Sequence, residues 1–292
     1  MKKVLVTGAG GQLGTELGLT RPKDVELIAL DRRALDICDL ESVRKIISEM
    51  EPFALINAAA FTGVDQAETD LTAAESANAS GPSYLAEVCR ESKSRLVHIS
   101  TDFVFDGRDG VPYKPGSKPA PLGIYGQTKL RGEENVLRNL PSALIVRTSW
   151  VYSTFGSNFV KTMLRLLEAR ELVSVVEDQV GGPTWARGLA NMLWKAIKEE
   201  NLHGIYHWSD SGECSWYEFA LAIAQEATAI GLIDRCAEVK PISSLDYKTK
   251  AKRPAYSVLD HSSTCVDLGI YPLPWRNQLR AMLNDYWGKR NG

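Results

Sequence analysis

Cysteine and histidine are scarce in this sequence, and neither residue has the spacing of a metal site. The four histidines include one close pair, His203 and His207, which flank Gly204. No two cysteines form a Cys-x-x-Cys pair, so the sequence predicts reduced thiols rather than a disulfide framework or a zinc site. The five cysteines are Cys38, Cys89, Cys214, Cys236 and Cys265.

The sequence also lacks a charge excess and a long apolar run. Its 34 lysines and arginines nearly balance its 36 acidic residues, which gives a formal net charge of −2. This balance argues against nucleic acid or an anionic membrane as a partner. No apolar run reaches the length of a membrane span, and the N-terminus has no secretory signal pattern. We therefore expect a cytoplasmic protein.

Hydrophobic periodicity predicts an α/β fold, with a doubly wound parallel (Rossmann) sheet and a smaller, discontinuous substrate-binding lobe. The predicted strands cover residues 3–7, 25–30, 54–58, 95–100, 143–148 and 172–176. The predicted helices cover residues 12–19, 40–50, 71–93, 123–140, 159–169, 184–198 and 215–230. Residues 1–150, joined by 186–208, are expected to form the dinucleotide-binding domain, and residues 151–185 and 209–292 the substrate-binding lobe.

A glycine-rich segment follows the first predicted strand. Glycines at such a place permit a tight turn, close approach of backbone N–H groups to a pyrophosphate, and close packing of the next helix. The spacing is Gly-x-x-Gly-x-x-Gly rather than Gly-x-Gly-x-x-Gly, but its location between a strand and a helix favours a nucleotide site. The predicted cofactor contacts here are Gly8, Gly10, Gly11, Gln12, Leu13 and Gly14.

Charged residues at the end of the second strand leave the choice of cofactor open. Asp31 can accept hydrogen bonds from an unmodified adenosine ribose, whereas Arg32 and Arg33 can pair with the 2′-phosphate of NADP. We therefore expect either NADPH or NADH. Asp36 and Ile37 lie in the next loop, where an adenine edge can be read. The contacts predicted after the third strand are Ala60, Phe61 and Thr62.

A hydroxyl and a Tyr-Lys pair supply the groups that carbonyl reduction by hydride transfer needs. Thr101 begins the segment Thr-Asp-Phe-Val-Phe, and Tyr125 and Lys129 have the i,i+4 spacing of one helix face. We predict that the phenol protonates the developing alkoxide, that the ammonium lowers the pKa of the phenol, and that Thr101 orients the carbonyl. A loop over residues 108–121, rich in proline and glycine, is expected to wall the site.

Longer motifs make the chain resemble the extended short-chain dehydrogenase/reductase superfamily and, within it, the dTDP-4-dehydrorhamnose reductases. The most specific are the segment that begins at Thr101 and the Thr-Ser-Trp-Val-Tyr segment at residues 148–152. The resemblance implies NAD(P)H-dependent reduction of the C4 keto group of dTDP-4-dehydro-L-rhamnose, a dTDP-linked 4-keto-6-deoxysugar, in polysaccharide biosynthesis. It places Thr101 and Tyr125 at the carbonyl and Lys129 on the nicotinamide ribose.

The resemblance also implies three further substrate contacts. Asp102 and Trp150 would lie against the sugar, and Arg253 would meet the diphosphate, since a guanidinium fork matches phosphate geometry. Each has a structural alternative. Asp102 could cap the following turn, Trp150 could be a core aromatic, and Arg253 could be a solvated charge.

Two alternative functions remain open at this point. A nucleotide-sugar epimerase or dehydratase would hold NAD tightly, but a dehydratase of this superfamily would be expected to carry Glu after Thr-Asp, where this chain has Phe103. A regulatory binding subunit is the other alternative, because the beta subunit of methionine adenosyltransferase resembles the same reductases. Such a subunit could keep Tyr125 and Lys129 for cofactor binding alone.

The oligomeric state and a metal are linked in the resemblance. Some relatives are thought to dimerise around a magnesium ion, and Glu16 stands at the place of one such ligand. The remaining ligands are not placed in the tail, so Mg²⁺ is possible but not assigned, and a homodimer is an open expectation. For Glu16 we prefer a solvated first-turn carboxylate that the helix dipole favours.

Overall fold

In the computed structural model, which describes residues 1–291, six parallel strands form the central sheet. The strands are β1 (Lys2–Thr7), β2 (Val25–Leu30), β3 (Ala54–Asn57), β4 (Arg95–Thr101), β5 (Leu144–Thr148), β6 (Val151–Tyr152), β7 (Leu172–Val176), β8 (Val180–Gly181), β9 (Thr184–Trp185), β10 (Gly204–His207), β11 (Cys214–Ser215) and β12 (Glu238–Ile242). The helices are α1 (Gln12–Leu19), α2 (Leu40–Met50), α3 (Val64–Ala67), α4 (Leu71–Glu75), α5 (Gly81–Ser92), α6 (Ile124–Asn139), α7 (Phe159–Ala169), α8 (Ala186–Ala196), α9 (Trp216–Ala229), α10 (Ser262–Leu268) and α11 (Trp275–Asn291).

The central sheet has the strand order β10-β5-β4-β3-β1-β2. β3 and β5 are buried along their whole length, as expected for parallel strands that helices cover on both faces. The order reverses direction between β1 and β3, and ligands of such sheets bind at the carboxyl ends beside this point. The predicted doubly wound parallel sheet is therefore confirmed. The sequence did not predict β10, which contributes only four residues.

Helices cover both faces of the sheet. On one face Ile47 of α2, Leu85 of α5 and Val136 of α6 pack in a common apolar cluster. On the other face Leu17 of α1 and Leu193 of α8 do the same. Residues 186–208 thus add α8 and β10 to the sheet and its cover.

A third apolar cluster lies outside the sheet. It joins α7, α9 and α11, and Phe219 and Leu279 are fully buried within it. The helix predicted over 71–93 is interrupted by a π-helical turn, Ser76–Ser80. The sequence analysis gave the region after Val239 no defined elements, although it contains α10 and α11.

Two expectations from composition concern the state of the cysteines and the presence of membrane-spanning helices. All five cysteines are free thiols, as predicted. Within residues 1–291, no helix is long and apolar enough to cross a membrane.

Candidate active site

A cavity of 1470 Å³ follows the carboxyl ends of the central strands. Its wall includes the loop after β1, the ends of β2, β3, β4 and β5, and the first turns of α6. The structure brings together along this wall every predicted site residue except Gly14. The predicted residues that line it are Gly8, Gly10, Gly11, Gln12, Leu13, Asp31, Arg32, Asp36, Ile37, Ala60, Phe61, Thr62, Thr101, Asp102, Tyr125, Lys129, Trp150 and Arg253.

The glycine loop packs too closely for side chains at two positions. Gly8 has a φ of +69°, and a Cβ there would lie 2.6 Å from the backbone nitrogen of Ala59. A Cβ at Gly14 would overlap the carbonyl oxygen of Gly8. Gly14 therefore lets α1 pack beneath the loop, and it lies behind the cavity wall rather than in it.

The N-terminus of α1 suits an anionic group. Its N-cap is Gly11, no described side chain caps it, and its first turn contains no acidic residue. The first N–H groups of a helix lack intrahelical partners and attract phosphates. Gln12 and Leu13 of this turn line the cavity. The loop and the helix end thus fit a dinucleotide pyrophosphate.

The end of β2 offers both a carboxylate and a guanidinium to an adenosine ribose. One oxygen of Asp31 accepts hydrogen bonds from the backbone nitrogens of Arg33 at 3.0 Å and Ala34 at 2.9 Å. The side chain of Arg32 is 87% exposed and lies 3.6 Å from the carboxylate of Asp36. A backbone hydrogen bond from Cys38 holds the pKa of Asp36 below its ordinary value. The ambiguity in the sequence persists in the structure, because both kinds of group border the cavity.

Asn78 supports the middle of the cavity from behind. It is fully buried in the π-helical turn and bonds to both backbone groups of Phe61, at 2.9 and 3.1 Å. Its amide also donates to the hydroxyl of Thr128 on α6 at 3.3 Å. The amide thereby fixes the predicted cofactor segment at residues 60–62 against α6. The sequence analysis missed Asn78, for which the only signal was a polar side chain inside a helical pattern.

Tyr125 and Lys129 occupy one face of α6, as their spacing predicts. The Nζ of Lys129 donates to the carbonyl of Ile99 at 2.6 Å. The Thr101 hydroxyl donates to Oδ1 of Asp102 at 3.0 Å and accepts from the backbone nitrogen of Phe103 at 3.2 Å. The ring of Phe103 meets the Tyr125 ring edge-on, with 5.6 Å between centroids. The hydroxyl, the phenol and the ammonium therefore border one end of the cavity.

Burial dominates the electrostatics of this end. It raises the pKa of Tyr125 to about 12, with the Thr101 hydroxyl acting in the opposite direction and Asp102 adding to the rise. Burial also lowers the pKa of Lys129 to about 8, against the charge of Glu133. Burial, Thr101 and Asp102 account for this shift, so the expected effect of the Lys129 ammonium on the pKa of the phenol stays a prediction. The phenol stays protonated at neutral pH, as a proton donor must.

Asp102 is a buried carboxyl group with one free oxygen. Its Oδ2 has no hydrogen-bond partner of normal geometry among the described residues, and burial raises the pKa of the group to about 6, with the nearby hydroxyls of Ser257 and Thr101 acting in the opposite direction. The alternative in which Asp102 caps the following turn is wrong, because the Thr101 hydroxyl occupies that capping position. A buried acceptor without a partner suits a hydroxyl group of a ligand.

Trp150 both lines the cavity and packs against the third apolar cluster, which joins α7, α9 and α11. Its indole stacks on that of Trp216, with 3.5 Å between ring centroids and 8° between planes. The backbone of Trp150 has a φ of +44°, and a Cβ at Gly181 would lie 2.5 Å from its ring. Trp150 is thus a packed aromatic and a cavity residue at the same time, so neither alternative excludes the other. The sequence analysis missed Trp216, which also lines the cavity.

Arg253 lies at the cavity wall but already has an acidic partner. Its Nη2 lies 2.6 Å from the Asp65 carboxylate, and its Nη1 donates to the carbonyl of Ala251 at 3.1 Å. Arg253 in turn holds the pKa of Asp65 below its ordinary value. The alternative of a free solvated charge is therefore wrong, and a diphosphate would share Arg253 with Asp65.

Comparison with known proteins places the whole chain in one family. The family model described as the RmlD substrate binding domain matches residues 1–287. The chain belongs to the RmlD family. One relative, the dTDP-4-dehydrorhamnose reductase of Aggregatibacter actinomycetemcomitans, is 42% identical over 287 residues, which cover 96% of this chain and 98% of that protein. The resemblance seen in the sequence motifs is confirmed.

Solved structures of the RmlD family share the fold. The crystal structure of dTDP-4-dehydrorhamnose reductase from Bacillus anthracis str. Ames, in complex with NADP, has a TM-score of 0.93 and 38% identity, covering 98% of this chain and 100% of that one. The UDP-glucose 4-epimerase of Thermus thermophilus, in complex with NAD, has a TM-score of 0.81 at 20% identity, covering 98% and 99%. The second likeness concerns the fold alone.

Glu16 of this RmlD-family chain is not the solvated first-turn carboxylate that was expected, because α1 begins at Gln12 and Glu16 lies beyond its first turn. It is fully buried, with Ser153 donating to Oε1 at 2.7 Å and Arg187 donating to Oε2 at 2.9 Å. Arg187 also bonds to Asp285 at 2.7 Å. Over the residues that the structure describes, no group of three or more His, Cys, Asp or Glu side chains could hold a metal. The ion pair was not predictable because Arg187 lies 171 positions after Glu16.

Proposed function

We propose that this chain catalyses the NAD(P)H-dependent reduction of the C4 keto group of dTDP-4-dehydro-L-rhamnose to dTDP-L-rhamnose, in the biosynthesis of polysaccharides. Relatives along its full length are dTDP-4-dehydrorhamnose reductases. The observation that carries the proposal is the shared cavity. One wall has the features of a dinucleotide site, and the other end presents a protonated phenol, a threonine hydroxyl and a lysine.

The cofactor would occupy the half of the cavity that the glycine loop lines. When bound, NADPH or NADH supplies the hydride. The N-terminus of α1 receives its pyrophosphate, Asp31 and Arg32 meet the adenosine ribose, and Lys129 donates to the nicotinamide ribose. The segment fixed by Asn78 supports the middle of the dinucleotide.

Thr101 and Tyr125 act on the sugar carbonyl. The Thr101 hydroxyl orients the C4 oxygen, and Tyr125 transfers its proton to that oxygen while C4 receives the hydride. The product therefore carries a new C–H bond and a new O–H bond, and solvent restores the proton of the phenolate. The charge of Lys129 stabilises the phenolate that forms when the proton is transferred.

The remaining residues recognise the substrate. The free Oδ2 of Asp102 accepts a hydrogen bond from a sugar hydroxyl, and the Trp150 indole offers a flat apolar face to the sugar nucleotide. Arg253 meets the diphosphate with the part of its guanidinium that Asp65 leaves free.

Two observations favour reduction over the alternative functions. Phe103 stands at the place where an elimination base would be required, and its edge-on contact with Tyr125 leaves an apolar wall there. A regulatory subunit would need the cofactor site but not a sugar site. The stacked pair of Trp150 and Trp216, together with the unpaired oxygen of Asp102, supports a second ligand beside the cofactor.

Turnover of the cofactor tests the function directly. We expect purified protein to oxidise NADPH or NADH only when dTDP-4-dehydro-L-rhamnose is present, and to form an equal amount of dTDP-L-rhamnose. Non-exchangeable NAD together with interconversion of sugar isomers would instead establish an epimerase. Cofactor binding without consumption in the presence of the sugar would establish a binding subunit.

We also propose that the enzyme works in the cytoplasm, where reduced nicotinamide cofactors are available, and as a homodimer. Val266 and Tyr271 of the tail are 75% and 77% exposed, so apolar surface is available there for a second copy of the chain. The mass in solution tests the dimer, and a mass of one chain at working concentration would refute it.

A further inference from the structure

A buried ion pair joins three elements behind the catalytic end of the cavity. Glu133 of α6 accepts hydrogen bonds from Arg147 of β5, from Nε at 2.9 Å and from Nη2 at 2.6 Å. Ser100 of β4 donates its hydroxyl to the same carboxylate at 2.5 Å. Glu133 is 2% exposed and Arg147 1%. Such pairs are costly to desolvate and often replaceable by apolar residues, so stability alone is a weak reason for this one.

The ion pair is in register with the catalytic residues. Glu133 follows Lys129 by one helical turn and Tyr125 by two, so the three share a face of α6. Ser100 directly precedes Thr101 on β4. Lys129 also bonds to β4, through the carbonyl of Ile99. Two hydrogen bonds therefore tie the strand end that carries Thr101 to the helix that carries Tyr125.

We propose that Glu133 is a positioning residue of this active site, which supplies the counter-charge of the Lys129 ammonium and, through Ser100, fixes Thr101 relative to Tyr125. The inference rests on the proposed function and adds a residue that does not line the cavity. The Glu133 carboxylate acts through Lys129 and Thr101 and does not touch the substrate.

The other charged or titratable groups around Lys129 do not replace Glu133. His98 of β4 is fully buried and neutral, because desolvation and the Lys129 charge hold its pKa well below the ordinary value. Asp102 faces Tyr125, whose pKa it raises. The charge of Arg147 is met by Glu133 itself. Glu133 is therefore the carboxylate that opposes the effect of burial on Lys129.

A double substitution removes the counter-charge without leaving an unpaired buried charge. Glu133→Gln combined with Arg147→Met deletes both charges of the pair. Without Glu133, Lys129 loses its proton at lower pH. We expect the fall of kcat/KM with rising pH to move to lower pH, with activity recovering toward the acid side, because Glu133, and not Arg147, contributes to the pKa of Lys129. The Kd of NADPH should show the same displacement, because Lys129 donates to the nicotinamide ribose.

A matched control separates charge from folding. Val136→Ala lies on the same helix and in the buried apolar cluster, but it changes no charge. We expect it to lower the Tm and to leave the pH profile in place. A double variant with a lower Tm and the wild-type pH profile, in turnover and in NADPH binding, would make Glu133 merely structural and overturn the proposal.

A milder variant tests the link to Thr101 and covers the case in which the double variant does not fold. Ser100→Ala keeps the ion pair and removes the hydrogen bond to β4. Ser100 also borders the cavity. We therefore expect kcat to fall about tenfold or more and the Kd of NADPH to change by a smaller factor, since small displacements of reacting groups cost large factors in rate. An unchanged kcat would overturn the positioning role. A wild-type protein that binds NADPH without turnover would refute the proposed function instead, and the pH dependence of the NADPH Kd would still test Glu133.

Discussion

Tyr125→Phe is the substitution that tests the chemistry most directly. The change removes one hydroxyl and keeps the ring, whose edge-on contact with Phe103 at 5.6 Å is therefore retained. Because the pKa of Tyr125 is about 12, the wild-type phenol is fully protonated at neutral pH and the variant loses a proton donor that is always loaded. We expect kcat to fall by about 10² to 10⁴, the usual contribution of a general acid. This range corresponds to about 3 to 5 kcal/mol of transition-state stabilisation.

The assay is substrate-dependent oxidation of NADPH, measured with the Kd of NADPH and the Tm of each variant. A suitable control is Tyr206→Phe. Tyr206 lies on β10, does not line the cavity, and donates its hydroxyl to Asp267 at 2.7 Å. The control should match the wild type in kcat. Near-wild-type turnover in Tyr125→Phe would refute the role of the phenol. An equal loss of kcat in both variants would show that the loss comes from a disturbed fold and not from the missing proton donor.

Three other predictions concern Trp150, the end of β2 and the buried carboxyl group of Asp210. Trp150→Ala should raise the KM for the sugar nucleotide more than it raises the Kd of NADPH. A lower Tm with an unchanged KM would instead show that Trp150 is only a core residue. Asp31→Ala should shift the ratio of kcat/KM toward NADPH and Arg32→Ala toward NADH, and an unmoved ratio in both would show that the end of β2 does not read the ribose. Asp210 accepts from the backbone of Trp185 at 2.8 Å, and burial raises the pKa of Asp210 to about 7. The protonated carboxyl favours the folded state, so its contribution is complete below the ordinary pKa near 4 and is lost as pH rises through 7. In the wild type, the free energy of unfolding should therefore decline between pH 4 and 8, and Asp210→Asn should make this decline smaller by up to about 4 kcal/mol. Denaturant titrations at several pH values measure it. An unchanged decline in the variant would contradict the assignment.

Most of the cavity wall was predictable because its residues occupy positions that local pattern defines. The glycine loop follows a buried strand, Asp31 ends the next one, and Thr101 ends β4. The carboxyl ends of parallel strands meet at one edge of the sheet, so residues distant in sequence converge there without any knowledge of their contacts. Tyr125 and Lys129 needed only the helical period. Gly14 shows the limit, because the same motif contains glycines that line the cavity and one that lies within α1 and packs against the loop.

The parts that were not predictable depend on partners far away in the sequence. Glu16 looks like an exposed first-turn carboxylate until Arg187 and Ser153 are seen to enclose it. Trp216, at the start of α9, stacks on Trp150 between β5 and β6, and nothing in its local sequence indicates that contact. The direction of the pKa shift of Tyr125 likewise depends on how completely the surrounding chain excludes water. Periodicity and motif spacing contain no information on that exclusion.

We expect the side chain beside Tyr125, the proposed proton donor, to separate reduction from elimination in such a cavity. Burial already raises the pKa of Tyr125, and the neighbouring Asp102 raises it further. A second carboxylate at the place of Phe103 would add to the negative charge around the phenol and oppose formation of the phenolate that proton donation requires. It would also supply the base that abstracts a proton from the sugar. The apolar ring of Phe103 does neither, so the phenol keeps one task, which is to protonate the C4 oxygen.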